Sequence, residues 1–168
     1  PTDTIYGVCG SALKKEAVER IYKIRRRSSG KPFIVLVSGL KDLKIFGIRL
    51  LKKDKKLLQK IWPAKISVVL PCRSKKYAYL HRGTNSLAFR MPKNKFLLQL
   101  LKLSGPLVAP SANPERKKPA ETIKEAKKYF DKKIDFYVEG GRLVSKSSTL
   151  IKVENGKIVM LREGAVKI

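Results

Sequence analysis

Residues 107–113 place the strongest constraint on how this chain can fold. They begin with a short apolar run that is typical of a strand buried on both faces, and the run stops at Pro110. Ser111 and Asn113 follow two residues apart, so in extended backbone their hydroxyl and amide groups point the same way. We interpret this stretch as a ligand-facing edge of a sheet. Taken alone, Ser-Ala-Asn-Pro is equally typical of a turn.

The charge of the chain points to an anionic partner. A length of 168 residues suits one domain with its own core, and 43% hydrophobic residues exclude global disorder. Against 13 Asp and Glu stand 39 Lys and Arg, a formal net charge of +26. Such an excess is typical of proteins that bind nucleic acid or a phosphorylated small molecule. A lysine-rich solvated surface of the kind found in proteins from hot environments is the alternative, although more Glu is expected there.

Several classes of site are disfavoured by composition. Cys9 and Cys72 lack CxxC spacing, and His81 is the only histidine, so we predict no metal site built from Cys and His. No apolar run reaches the roughly 18 residues of a membrane span, and no signal peptide opens the chain. We therefore expect a cytoplasmic protein without a membrane partner. The chain starts at Pro1 inside what resembles a motif, so we expect further residues before it.

Hydrophobic periodicity predicts alternating helices and strands. Residues 16–24 have the helical period, and residues 33–37 form an uninterrupted apolar run that is typical of a covered sheet interior. Asn155-Gly156 predicts a hairpin between residues 149–153 and 157–161. This alternation and the antiparallel hairpin together predict a mixed α/β sheet. Further helices are predicted at 40–46, 52–61, 96–103 and 122–129, and further strands at 67–70, 87–90 and 136–138.

Hydroxyl and guanidinium groups collect at the predicted strand ends, where open α/β sheets bind ligands. Arg25, Arg27 and Lys31 share a loop with Gly30 that could hold a polyphosphate, although the same cluster is also typical of a solvated basic turn. The chain has no GxxxxGK[ST] sequence, so this loop is not a P-loop. Neither a catalytic His nor a clustered pair of acids is evident, which disfavours a Ser-His-Asp triad and general acid-base chemistry. The strand-end groups are Thr2, Thr4, Tyr6, Arg25, Arg27, Lys31, Ser67, Ser86, Arg90, Ser111, Asn113, Ser148 and Thr149.

Seven segments in order resemble the Sua5/YrdC/TsaC family, the threonylcarbamoyl-AMP synthases. The resemblance covers essentially the whole chain and implies an α/β fold with a twisted mixed, largely parallel sheet flanked by helices, a positively charged concave face and a C-terminal β-hairpin. It also implies a single YrdC-like domain over residues 1–168 that lacks the family's opening helix and strand and has no C-terminal Sua5 domain. The segments are 1–7, the basic loop through Lys31-Pro32, 62–71, 89–92, 109–113, 147–149 and 161–164.

The resemblance also implies a reaction. Family members combine L-threonine, bicarbonate and ATP, with Mg²⁺, into threonylcarbamoyl-adenylate and pyrophosphate, the first step towards the t6A modification at tRNA position 37. Downstream t6A transferase proteins would then be partners. Catalysis would rest on positioning and electrostatics, without a protein nucleophile.

Matching the family's motifs assigns residues to each part of the site. The implied catalytic residues are Arg25, Arg27, Ser111 and Asn113. The implied L-threonine pocket is Thr4, Tyr6, Arg90, Ala109 and Ser148. The implied ATP-binding residues are Arg27, Lys31, Ser86, Ser111 and Arg162.

The chain departs from the family pattern in places. Arg25 stands where the family has Lys, and a planar guanidinium does not replace a point ammonium at a tight phosphate site. Leu36 stands where many relatives have His, and Glu115-Arg116 stands where they have Ser-Gly.

Two other functions remain open from the sequence. One is a module that binds double-stranded RNA or tRNA on a basic concave face, with a role in ribosome maturation. The other is a carbamoyl-transfer domain like the YrdC-like part of hydrogenase maturation proteins, although the acylphosphatase and zinc-finger segments of those proteins are not found in this sequence.

Overall fold

A computed structural model describes residues 1–168. Seven strands form one sheet in the order β1-β5-β2-β4-β3-β6-β7. The strands are β1 (Gly10–Ser11), β2 (Ile34–Leu36), β3 (Ile66–Pro71), β4 (Ser86–Arg90), β5 (Leu107–Val108), β6 (Thr149–Glu154) and β7 (Lys157–Arg162). The α-helices are α1 (Lys15–Arg25), α2 (Lys52–Ile61), α3 (Ala78–His81), α4 (Lys95–Ser104) and α5 (Ile123–Phe130), and 3₁₀ helices span Leu40–Phe46, Lys75–Tyr77 and Asp131–Lys133.

The sheet is mixed, as predicted, but it is not largely parallel. Only β2 with β4 and β3 with β6 are parallel pairs, whereas the other four neighbouring pairs are antiparallel. The hairpin forces one of these, because a two-residue turn can join only antiparallel strands. Asn155 and Gly156 both have positive φ, 52° and 75°, which confirms the predicted type I′ turn.

The two faces of the sheet differ in burial. Val35, Val68, Phe89 and Ile151 are completely buried and face the main core. The neighbouring positions in each strand point to the opposite face, because side chains alternate along a strand. That second face is covered by α4 only at one end, and elsewhere it is open, so we call it the open face. Its half-buried members are Ile34, Val69, Ala88 and Leu150, and the cluster under α4 is Leu36, Leu97, Leu101 and Leu107.

Most predicted helices are confirmed, and their ends have clear causes. The hydroxyl of Thr122 accepts the Glu125 N–H at 3.2 Å, and the Asn94 side chain accepts the Leu97 N–H at 2.9 Å, so both residues cap helices. The predicted helix at 40–46 is a 3₁₀ helix rather than an α-helix. None of the helices is long and apolar enough to cross a membrane.

The predicted strand at residues 136–138 is wrong. These residues lie in an irregular segment between the 3₁₀ helix Asp131–Lys133 and β6. The apolar run there has no partner strand, and the Phe136 side chain is 76% exposed. A short apolar run becomes a strand only where a neighbouring strand supplies hydrogen bonds.

Gly164 makes a close approach that a larger residue would prevent. A Cβ built on Gly164 would overlap the backbone of Ser147 and Ser148, and the next residue donates its N–H to the Ser147 carbonyl at 2.9 Å. The end of β7 can therefore pack on the start of β6 only with glycine here.

We expect Gly164→Ala to lower the free energy of unfolding by about 1–3 kcal/mol, the usual range for overpacking. Gly39→Ala is the matched control, because a Cβ at Gly39 meets nothing within 4 Å and φ there is an extended −176°. Urea unfolding of both variants measures the difference. An equal stability of the two would contradict the close-packing argument.

Candidate active site

A polar cavity of about 410 Å³ opens on the open face, where the N-terminal segment meets the ends of several strands. Four arginines, Arg25, Arg27, Arg90 and Arg162, line the cavity, and no carboxylate does. An anionic ligand is therefore favoured electrostatically. The other lining residues are Thr2, Thr4, Ile5, Tyr6, Gly7, Pro32, Phe33, Ile34, Ala88, Ala109, Pro110, Ser111, Pro119, Ser147, Ser148 and Leu150.

Arg25 joins the end of α1 to the segment after β5. Its Nε donates to the Asn113 carbonyl at 2.9 Å, and its Nη2 donates to Ser111 Oγ at 3.1 Å and to Asn113 Oδ1 at 3.3 Å. Ser111 and Asn113 thus point the same way, as their spacing predicts. The Arg25 Nη1 group is buried and has no protein partner, so it is a donor left for a ligand.

Burial, and after it the nearby Arg27 charge, lower the pKa of Arg25 to about 10. A pKa of about 10 still leaves the guanidinium protonated at neutral pH. Arg25 therefore brings a full positive charge to the cavity wall, held by neutral oxygens and not by an acid.

Asn113 contacts Arg25 from the side away from the cavity and does not line the cavity itself. Its Nδ2 donates to the carbonyls of Pro114 and Lys117 at 2.9 and 2.7 Å, while its Oδ1 accepts from Arg25. All the hydrogen-bonding groups of the side chain are therefore committed to the loop and to Arg25. The structure gives Asn113 a positioning role, because the residue does not line the cavity.

The opposite wall is built on Arg90, the last residue of β4. Its Nη1 donates to Thr4 Oγ1 at 3.1 Å, and its Nη2 lies 3.5 Å from Asp3 Oδ1. Thr4 Oγ1 also shares a hydrogen bond of 3.0 Å with Thr2 Oγ1. Burial lowers the pKa of Arg90, and the Asp3 carboxylate opposes that shift. Arg90 Nε is buried without a partner.

Ser148, the residue before β6, completes this wall. The Ser148 and Ser67 hydroxyls are hydrogen-bonded at 2.8 Å, and the Arg162 Nη2 donates to the Ser148 carbonyl at 2.9 Å. Only Ser148 and Arg162 of these three reach the cavity. Arg162 therefore fixes the backbone of a cavity residue as well as contributing charge.

Tyr6 lines the cavity, but its hydroxyl is bonded to the segment before β6. The hydroxyl donates to the Gly141 carbonyl at 2.7 Å and accepts the Gly140 N–H at 2.9 Å. Burial raises the pKa of the Tyr6 phenol. Tyr6, which the resemblance assigns to the threonine pocket, thus uses its hydroxyl to hold the turn at residues 139–141.

Lys31 is turned away from the cavity. Its ammonium group donates to Glu115 Oε1 at 2.7 Å, while its carbonyl accepts from Arg27 Nε at 3.2 Å. Arg27 itself lies over the Phe33 ring, with Cζ 5.4 Å from the centroid. Arg27 is therefore the cation of this loop that reaches the cavity.

The structure brings most of the predicted site residues together. Three of them do not line the cavity, namely Lys31, Asn113 and Ser86. Ser86 begins β4, four residues before Arg90, which is about 13 Å along a strand. The residues that do line the cavity are Thr4, Tyr6, Arg25, Arg27, Arg90, Ala109, Ser111, Ser148 and Arg162.

Sequence reasoning missed the roles of two acids. Asp3 is buried against Arg90 and accepts the Lys93 N–H at 3.1 Å. Glu115 accepts a hydrogen bond from the Lys31 ammonium group. An acid inside the hydroxyl-rich opening segment was a usable signal for Asp3. For Glu115 the only signal was that it stands where many relatives have Ser.

The residues of this cavity do not fit a resident Mg²⁺ ion. Magnesium prefers carboxylate oxygens, and none lines the cavity. The chain has no group of three or more His, Cys, Asp or Glu that could hold a metal ion.

A second cavity of about 450 Å³ lies beside β1 and is mainly apolar. Its walls come from α1, α4, α5 and residues 133–138, with Ile21, Phe96 and Phe136 among them. Its charged lining residues are Lys133 and the Arg20–Asp135 ion pair, so no group of like charges meets there and we assign the chemistry to the arginine-lined cavity.

Comparison with known proteins agrees with this geometry. The family model for the Sua5, YciO and YrdC domain, described as telomere recombination, matches residues 1–164. The threonylcarbamoyl-AMP synthase of Pyrococcus abyssi is 29% identical over 170 residues, which cover all of this chain and 50% of that protein. The chain thus spans about half the length of this relative.

Two solved structures share the fold. The crystal structure of P. abyssi Sua5 complexed with L-threonine has a TM-score of 0.87 at 30% identity, and the match covers 98% of this chain and 49% of that one. The crystal structure of E. coli YciO has a TM-score of 0.84 at 25% identity, covering 99% and 82%. With a matching family model over almost the whole chain, the protein belongs to the Sua5/YciO/YrdC family.

Proposed function

We propose that this chain forms threonylcarbamoyl-AMP and pyrophosphate from L-threonine, bicarbonate and ATP. The observation that carries the proposal is the cavity lined by four guanidiniums and by hydroxyls, with no carboxylate. All three substrates are anionic or carry a carboxylate, and guanidinium groups bind carboxylates and phosphates in bidentate fashion. The similarity to the P. abyssi synthase and to the threonine complex of P. abyssi Sua5 supports it.

The two walls of the cavity would bind different substrates. Arg90 would bind the threonine carboxylate, while Thr4 and Ser148 would bond the amino and hydroxyl groups. Arg25, Arg27, Ser111 and Arg162 would face the nucleotide phosphates. Each assignment uses a residue that lines the cavity and carries a hydrogen-bond donor.

The reaction needs positioning more than acid-base groups. The threonine amine adds to bicarbonate with loss of water, giving an N-carboxylate. One oxygen of that carboxylate forms a bond to the α-phosphorus of ATP, and the bond from that phosphorus to the bridging β-phosphate oxygen breaks to release pyrophosphate. Fixed guanidiniums stabilise the charge that develops on the leaving group. Mg²⁺ would enter with the nucleotide, bound to phosphate oxygens.

The product would serve t6A modification of tRNA, with downstream transferase proteins as partners. Contact with tRNA is supported by the net charge of +26 and by the exposed lysines of α2. Binding of double-stranded RNA or tRNA without ATP turnover is the second candidate function. A steep salt dependence of tRNA binding together with no pyrophosphate release would favour it.

We expect pyrophosphate release only when ATP, L-threonine and bicarbonate are all present. The measurement is a coupled pyrophosphate assay in which each component is omitted in turn. Release without threonine would indicate simple ATP hydrolysis, and no release under any condition would contradict the synthase proposal.

Ser111→Ala and Arg27→Ala should each lower kcat/KM for pyrophosphate release at least tenfold, because each removes a donor placed towards the phosphates. A tenfold loss corresponds to about 1.4 kcal/mol of transition-state stabilisation. Arg73→Ala is the control, since Arg73 is exposed and does not line this cavity. Circular dichroism should show all three variants folded, and wild-type rates in the first two would remove those residues from the site.

Ser148→Ala should raise the KM for L-threonine about tenfold, the usual cost of a lost hydrogen bond to a charged group. Ser67→Ala is a close control, because it breaks the same 2.8 Å hydrogen bond from a residue outside the cavity. We expect Ser67→Ala to change this KM less than twofold in steady-state assays. Equal effects would show that the bond matters for packing and that Ser148 does not touch threonine.

A further inference from the structure

The Glu115 carboxylate lies against a set of donors beside the arginine-lined cavity. Its Oε2 accepts the backbone N–H of Ser28 at 2.8 Å, and its Oε1 accepts from the Lys31 ammonium at 2.7 Å. The Lys31 hydrogen bond, then the Ser28 N–H, hold the pKa of Glu115 at about 2, and Arg27 adds to the effect. The carboxylate is therefore charged at any physiological pH.

These donors are the ones that proteins use to bind phosphate. A backbone N–H in a tight turn, an ammonium group and a nearby guanidinium together form an anion-binding concavity. Arg27, the residue before Ser28, lines the cavity, so the concavity opens on the cavity rim. A carboxylate with both oxygens engaged there is the internal equivalent of an anionic ligand.

The loop does not need this carboxylate to keep its shape. The Glu115 N–H donates to the Arg25 carbonyl at 2.8 Å, which fixes the Glu115 backbone to the end of α1. The turn at 28–31 is closed by its own bond from Lys31 N–H to the Ser28 carbonyl at 3.3 Å. The Glu115 side chain can therefore rotate away while both backbone segments stay in place.

We propose that Glu115 occupies an anion subsite, formed by Ser28 N–H, Lys31 and Arg27, that accepts a phosphate group of the nucleotide. Glu115 is then an internal competitor that sets nucleotide affinity. The identity of the ligand as a nucleotide rests on the proposed function. Carboxylate and phosphate cannot share these donors, because both need the same hydrogens and their like charges repel. On binding of the nucleotide, Lys31 would turn from Glu115 to the phosphate group.

Isothermal titration calorimetry tests the subsite without turnover. ATP and, separately, inorganic tripolyphosphate are titrated into the full chain with neither threonine nor bicarbonate present. Glu115→Gln should lower the Kd of both probes about tenfold, since phosphate no longer displaces a charged competitor. Glu154→Gln is the matched control, because it removes the same charge from the Lys152–Glu154 ion pair at the end of β6. Its Kd values should stay within twofold of wild type.

A double-mutant cycle with Lys31→Met tests the competition itself. In the wild-type chain Lys31 must leave Glu115 before it binds phosphate, so its net contribution to phosphate binding is small. In the Glu115→Gln background Lys31 has no charged partner to leave, so its full interaction with phosphate adds to the binding free energy. We expect Lys31→Met to raise the Kd for tripolyphosphate at least threefold more in the Glu115→Gln background than in the wild type.

The two probes keep this inference separate from the synthase proposal. An unchanged or higher tripolyphosphate Kd in Glu115→Gln would overturn the subsite, whatever ATP does, and would make Glu115 a scaffold. A tenfold gain for tripolyphosphate with no ATP binding by any variant would keep the subsite and contradict the synthase. Equal effects of Lys31→Met in the two backgrounds would also overturn the competition.

Discussion

The rest of the site depends on one buried cation. Arg25 ends α1, and its guanidinium bonds to two residues that follow β5, so a helix, a strand end and a loop are held together by one side chain. A buried positive charge is costly unless its donors are satisfied. Here the partners are neutral oxygens of Ser111 and Asn113 and not an acid. The charge is stabilised by hydrogen bonds but not neutralised, and it remains available to attract an anion.

The same strands build the core and the cavity. Alternation along β2 and β4 sends Val35 and Phe89 into the main core and leaves Ile34 and Ala88 on the open face. The buried side of the sheet therefore fixes the position of the open face, and the segments at the strand ends supply most of the cavity walls. Because α4 covers only one end of the open face, the remainder can admit ligands.

Sequence patterns predicted the elements better than their arrangement. The helical period gave α1, the Asn-Gly pair gave the hairpin, and the spacing of Ser111 and Asn113 gave their common direction. The resemblance implied a largely parallel sheet, whereas most neighbouring pairs are antiparallel, and the pairing of β5 with both β1 and β2 joins residues far apart in the chain. The apolar run at 136–138 has the composition of a strand but no neighbour to pair with.

The candidate site also has features that the sequence predicted and features that it did not. Local residue types at strand ends, together with ordered motifs, were enough to name nine of the residues that line the cavity, because each motif assigns a residue type to a position in the chain. The sequence by itself determined the chemistry of the cavity, with its arginines, hydroxyls and absence of acids. Only the tertiary structure decided which hydrogen bonds each group makes. It placed Asn113 behind Arg25, turned the Tyr6 hydroxyl to residues 140 and 141, and paired Lys31 with Glu115. In each case, donors and acceptors from different parts of the chain compete for the same partner. The distances between these groups decide which hydrogen bonds form, and the sequence does not contain those distances.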